Sequence, residues 1–203
     1  LLDIVPKEPN AQETSKGLTV ESPQVRNRIV NDALTAAVNS NPAPLYKKSF
    51  QNRIKTGNFT DDLKEISKVD WIIEVVVENL SIKKNLYEQV ENYRKSGTIV
   101  TSNTSGIPMK WLTEDRSEDF RKNFCGTHFF NPPRYLKLLE IIPAPDTNPA
   151  LVSFLAHYGE LYLGKETVLC KDTPAFIANR VGIYSIMEIL HAIQKLDLSV
   201  EEV

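Results

Sequence analysis

A chain of 203 residues, 41% hydrophobic and 25% charged with a formal net charge of −2, has an ordinary soluble composition. That length fits one full domain plus part of another and is enough to bury a sizeable core. The balance of charge excludes a nucleic-acid surface built on basic excess, and no apolar run of about 18 residues reads as a membrane span.

Residues 1–6, Leu-Leu-Asp-Ile-Val-Pro, have no Met and read as the tail of a buried strand ending in an acid, as though the chain began in mid-domain. Residues 7–23 are polar and turn-rich and read as a surface loop or a poorly ordered insertion. Val25, Ile29, Ala33, Leu34, Ala37 and Val38 recur at helical spacing and predict a helix over 23–40, stopped by Asn41-Pro42-Ala43-Pro44. A short edge strand is expected at 50–54, then a helix from Thr60 as its cap through Lys68. The run Trp71-Ile72-Ile73-Glu74-Val75-Val76-Val77 suits a strand covered on both faces.

A helix over 81–94 ends at Gly97, and 98–102 is the next buried strand. Strands are predicted at 124–130, 136–142 and 167–170, with a helix at 148–163. Strands alternating with helices indicate a mostly parallel α/β sheet. After Lys171-Asp172-Thr173-Pro174 the pattern turns wholly helical. A long helix is expected over 175–196, with Pro174 in its first turn and Asp172 or Thr173 as cap, and another opening at 199–202. The expected division is a sheet domain over 1–171 and the start of an all-α domain over 172–203.

In an open α/β sheet ligands bind at the C-terminal ends of the strands. Asp3, Glu78-Asn79, Ser102-Asn103-Thr104-Ser105 and His128 all stand at such ends. Any one of them serves equally as a solvated loop residue; four together favour a site. Asp3 suits the acid that binds a ribose 2′-hydroxyl, yet the eight glycines contain no GxGxxG loop. Gly159-x4-Gly164-Lys165 matches most of a P-loop, but Glu166 takes the Ser/Thr position and a helix precedes it. Gly164 therefore reads as a helix-ending glycine and Lys165 as solvated.

His128 ends a strand beside Phe129 and Phe130, and Glu140 follows within the next apolar run. Such a pair suits general acid–base chemistry, although a histidine there serves packing as readily. His157 and His191 fall within helices and read as surface or packing residues. No His or Cys spacing supports a metal, and Cys125 and Cys170 suit buried thiols of a reducing compartment, the cytoplasm. No signal peptide is expected from these residues.

Five motifs then occur in order: Val77-Glu78-Asn79-Leu80, Ser102-Asn103-Thr104-Ser105, Gly126-Thr127-His128-Phe129-Phe130-Asn131-Pro132, Leu138-Leu139-Glu140-Ile141-Ile142, and the Lys171-to-Arg180 segment KDTPAFIANR. From Asp70 onward the chain resembles the 3-hydroxyacyl-CoA dehydrogenases of fatty-acid β-oxidation, with residues 1–6 as a second Rossmann strand. The Arg134-Tyr135-Leu136 variant and the long 7–23 segment are closer to the large bacterial members.

The resemblance implies a Rossmann-like, mostly parallel sheet lacking its first strand and glycine-rich loop, NAD as cofactor and acyl-CoA as substrate. It implies His128 as general base, Glu140 as its orienting acid, and Ser105 and Asn179 as holders of the reacting oxygen. Asp3, Glu78, Lys83 and Asn131 match cofactor-contacting positions. It further implies a homodimer or a multifunctional β-oxidation enzyme, with this chain an incomplete piece. The alternatives are another Rossmann β-hydroxyacid dehydrogenase, which would rely on a lysine, or a non-catalytic relative on the same fold.

Overall fold

The structure is a computed structural model describing residues 1–202; residue 203, the last of the predicted helical segment, lies outside the described residues. The chain divides into two compact units. One comprises Leu1–Asp70, Tyr87–Thr98 and Phe130–Lys137; the other comprises Trp71–Leu86, Ile99–Phe129 and Leu138–Val203.

In the first unit β1 (Leu2–Asp3) pairs in parallel with β2 (Gly57–Asn58). The predicted loop contains a helix, α1 (Ala11–Ser15), closed by a capping box: Asn10 Oδ1 accepts from Glu13 N at 2.9 Å, and Glu13 Oε2 accepts from Asn10 N at 2.8 Å. The predicted 23–40 helix is two helices, α2 (Pro23–Arg26) and α3 (Arg28–Asn39). The break falls at Asn27, whose side chain accepts from Asn58 Nδ2 at 2.9 Å.

The expected edge strand at 50–54 is instead a 3-10 helix, Lys48–Arg53. Its three-residue turn stacks the Arg53 guanidinium over the Phe50 ring, 4.1 Å from the centroid, a contact that alternating strand positions would not make. The next helix, α4 (Phe59–Asp62), is capped by Asn58 rather than Thr60: Asn58 Oδ1 accepts from Thr60 N and Asp61 N at 3.0 and 2.8 Å. A 3-10 helix, Leu63–Lys68, follows.

The second unit is built on a five-stranded sheet. Its strands are β3 (Trp71–Glu74), β4 (Ile99–Ser102), β5 (Phe124–Phe129), β6 (Leu138–Pro143) and β7 (Glu166–Leu169), in that spatial order. Pairings are parallel except for β5 with β6, so the mostly parallel α/β sheet read from the sequence is present. Between strands run α5 (Leu80–Tyr93), which starts in this unit, then α6 (Met109–Thr113), α7 (Glu118–Lys122) and α8 (Pro149–Leu161); α9 (Ala178–Leu196) and a 3-10 turn, Val200–Glu202, follow the sheet. The short helices α6 and α7 fill the stretch between β4 and β5 that carried no periodic signal.

One sheet face packs on α8. Cys125, Leu139, Ile141, Leu151 and Leu155 form its buried core, with Trp71, Ile99 and Phe129 at the margin. Close approach requires Gly159: a Cβ there would lie 2.9 Å from Thr167 Cγ2 and 3.2 Å from Leu139 Cδ2. Even-numbered positions of β5 turn to the opposite face, where Gly126 admits α6; a Cβ on it would stand 2.8 Å from Met109 Sδ.

Two expectations fail here for identifiable reasons. The 71–77 run is not covered on both faces, because β3 is an edge strand that stops at Glu74 and leaves Val75 68% exposed. Lys165 is buried rather than solvated. Its backbone N–H donates to Gly159 O at 2.9 Å, which folds the residue inward, and its ammonium lies 5.6 Å from the Phe129 ring centroid.

Candidate active site

Antiparallel register brings His128 and Glu140 together. They are direct partners across β5 and β6, on the face opposite α8. His128 Nδ1 and Glu140 Oε2 are 2.7 Å apart, and both residues are buried. A carboxylate at Nδ1 selects the tautomer with its proton there, so in the neutral ring Nε2 carries the lone pair.

Glu140 has a second task. Its Oε1 accepts from Ile177 N at 3.0 Å and Ala178 N at 2.8 Å, the first N–H groups of α9. A strand carboxylate thus satisfies a helix N-terminus for which Ile177 offers no side-chain cap. This corrects the predicted start at 175 and the predicted caps. Asp172 caps a different helix: its oxygens accept from Met109 N and Lys110 N of α6 at 2.9 and 3.2 Å. Residues 175 and 176 instead turn left-handed, with φ of 62° and 48°. The turn buries Phe176, whose ring meets the His128 imidazole at 5.7 Å between centroids and 62° between planes. Cys170, also buried, hydrogen-bonds Glu140. Burial, then the charge and hydrogen bond of Glu140, push its thiol up to about 11.

A second polar cluster lies at the ends of β3 and β4. Glu74, 4% exposed, accepts from Val76 N at 2.6 Å, Lys83 Nζ at 2.7 Å and Ser102 Oγ at 2.7 Å. Lys83, 1% exposed, also donates to Val76 O at 3.1 Å and stands 3.5 Å from Glu78 Oε2. Glu78 Oε1 accepts from the Thr104 hydroxyl, from Ser105 N at 3.1 Å and from Gly106 N at 3.2 Å. Burial pushes the Glu78 carboxyl up, but Thr104, Lys83 and the two N–H groups outweigh it and hold it below the usual range. Asn103 Oδ1 accepts from Phe129 N at 2.9 Å, which ties the β4 loop to the end of β5.

Ser105 and Asn179 line one cleft of about 530 Å³ with Gly106, Ala178, Ile183 and Ile186. Six of the eight sequence-derived site residues therefore fall in the second unit: His128 with Glu140, Ser105 with Asn179, and Glu78 with Lys83. Asp3 and Asn131 belong to the first unit. Asp3 Oδ1 accepts from Ile4 N at 2.7 Å, and Asn131 is exposed. Sequence reasoning singles out Asn103 only as one of the strand-end polar residues, and gives Glu74 and Phe176 no role at a site. Glu74 carried a signal, an acid in the middle of an apolar run.

Among the described residues no His, Cys, Asp and Glu grouping could hold a metal, and no helix is long and apolar enough to cross a membrane. The cleft combines apolar helix residues, Ile183 and Ile186, with the polar Ser105 and Asn179, the mixed lining that small-molecule sites use. Polar residues at the strand ends of a mostly parallel sheet, with a buried imidazole–carboxylate pair next to a cleft, make the arrangement of a small-molecule-binding α/β domain of the nucleotide-binding type.

Comparison with known proteins gives the family. Residues 11–173 match the profile of the 3-hydroxyacyl-CoA dehydrogenase NAD binding domain, and the chain belongs to that family. It is 48% identical over 203 residues to a Bacillus subtilis protein named a probable 3-hydroxyacyl-CoA dehydrogenase, covering all of this chain and 26% of that protein. It is 41% identical over 158 residues to a Rickettsia felis protein named as a fatty acid oxidation complex trifunctional enzyme, covering 78% of this chain and 22% of the other. Among solved structures, the (S)-3-hydroxybutyryl-CoA dehydrogenase of Ralstonia eutropha superimposes with a TM-score of 0.71 at 25% identity, over 89% of this chain and 62% of that one. The chain thus spans about a quarter of each of these two relatives.

Proposed function

We propose that this chain is the cofactor-binding and acid–base part of an NAD-dependent enzyme that oxidises (S)-3-hydroxyacyl-CoA to 3-oxoacyl-CoA in fatty-acid β-oxidation. The observation that carries the reading is the buried His128–Glu140 pair beside the cleft of Ser105 and Asn179.

His128 Nε2 takes the proton of the substrate 3-hydroxyl. The Glu140 carboxylate, already held by two backbone N–H groups, orients the ring and stabilises the imidazolium that forms. Ser105 and Asn179 supply the polar atoms that hold the reacting oxygen. Bound NAD would supply the hydride acceptor that oxidation at C3 requires. Glu78 and Lys83 fix the 104–106 loop on which Ser105 stands and, with Asp3 and Asn131, are proposed as cofactor contacts. The 203 residues contain no GxGxxG loop, and no pyrophosphate site is derived from them. The setting proposed is cytoplasmic, within a homodimer or a multifunctional β-oxidation enzyme.

The test follows NADH absorbance with acetoacetyl-CoA and the full-length protein. Steady consumption is expected, with His128→Gln lowering kcat at least about 100-fold while NADH affinity holds. No consumption by the wild type, or an unimpaired His128→Gln, would overturn the reading.

A further inference from the structure

We propose that Phe176 is a positioning residue for His128, aimed by the left-handed turn at Ala175 and Phe176; the idea rests on His128 being the base. Residues carrying a Cβ rarely adopt φ of 62° and 48°, and two in succession persist only where the surroundings over-determine them. Here the surroundings do so at several points. Asp172 anchors the near side through Met109 N and Lys110 N. Phe176 N donates to Thr173 O at 3.0 Å, and Arg180 N donates to Ala175 O at 3.2 Å across the turn. Glu140 anchors the far side through Ile177 N and Ala178 N. A regular helix begun at Pro174 would have right-handed dihedrals throughout and would need no such turn.

The turn delivers two contacts to one imidazole. Glu140, fixed by the N–H groups just after Phe176, holds Nδ1; the Phe176 ring, 2% exposed, lies edge-on against the imidazole. The hydrogen bond at Nδ1 fixes one atom of the ring. The flanking aromatic ring adds a constraint on the plane of the imidazole, which keeps Nδ1 in line with Glu140 and the proton on the side that Glu140 selects. Phe176 acts through His128 and touches no reacting atom.

The decisive variant is Phe176→Leu, which keeps the site apolar and close in bulk while removing the flat ring. Nuclear magnetic resonance of the chain labelled with ¹⁵N-histidine reads the His128 tautomer, assigned by its loss in His128→Gln. The wild type should carry its proton on Nδ1. Phe176→Leu, folded by circular dichroism, should show a mixture, with the tautomer ratio reduced about tenfold or more, and in the full-length protein kcat should fall about tenfold with KM for the acyl-CoA within about twofold. Ala175→Gly, which suits a left-handed turn, should keep the wild-type tautomer. A folded Phe176→Leu with the wild-type ratio overturns the proposal. Should that variant not fold, Phe176→Met replaces it. If neither folds, the wild-type spectrum decides: ring-to-ring cross-relaxation between Phe176 and His128 supports the proposal, and its absence overturns it. The tautomer measurement uses no substrate, so a wild type that fails to oxidise NADH sinks the dehydrogenase reading alone.

Discussion

Glu74 and Glu140 are packed alike. Each interrupts an apolar strand, each is at most 4% exposed, and each accepts hydrogen bonds from at least three different residues. What differs is the partner. Glu74 faces an ammonium and a hydroxyl, whereas Glu140 faces an imidazole and two N–H groups at a helix start. The first arrangement ties β3 to β4; the second is the one proposed for proton transfer, the task to which imidazole is best suited among side chains. Burial of a carboxylate therefore says little about its role until the group on its other side is known.

The sharpest way to break this comparison is to neutralise each acid in turn. Glu140→Gln should lower kcat about 100-fold or more, because the imidazolium loses its counter-charge and the tautomer its selector. If Glu74→Gln lowers kcat as much, the distinction between the two carboxylates fails. Stability should respond in the opposite sense. Glu74→Ala leaves the Lys83 ammonium buried without its closest anion and should cost about 3–5 kcal/mol in denaturant unfolding, with most of that cost recovered when Lys83→Met is added. A loss below about 1 kcal/mol would mean that the pair relaxes into solvent.

Thr127 tests the apolar face behind His128. Its hydroxyl is buried without a hydrogen-bond partner, so Thr127→Val should stabilise by about 1 kcal/mol and raise Tm by about 2–4 °C. The smallest effect belongs to Glu78. Its carboxyl is held below the usual range in the folded chain, so its contribution is present above the unfolded value and is lost as pH falls through the folded one. Being only partly buried, it should contribute about 0.5 kcal/mol or less. The wild-type advantage over Glu78→Gln should be visible near neutral pH and vanish in acid; an advantage independent of pH would mean that the charge is irrelevant to the 104–106 loop.

Much of this was legible in the chain. The α/β alternation, the two strands carrying His128 and Glu140, the helix α8 and the helix-ending Gly97 all followed from periodicity and turn chemistry. The failures share a cause. Phe50 and Ile54 stand on a spacing compatible with either a strand or a helix, and the 3-10 helix Lys48–Arg53 instead brings Arg53 over Phe50, three residues before it. Lys165 followed a left-handed glycine and read as solvated until the fold turned it against Phe129.

The same division holds at the site. Residue types and spacing by themselves determined that a histidine would end a strand, that an acid would stand in the next, and that a long helix would follow KDTP. Which groups meet was decided in tertiary structure. His128 and Glu140 are 12 residues apart and face each other only in the antiparallel register seen here. Asp172 reaches back 63 residues to cap α6, and Glu140 reaches forward 38 to Ala178, exchanging the caps that local rules assigned. Capping and pairing rules specify a chemical need within a few residues, a carboxylate at a helix start or a counter-charge for an ammonium. Any acid that packing brings within about 3 Å satisfies that need, and only the register of the sheet determines which one arrives.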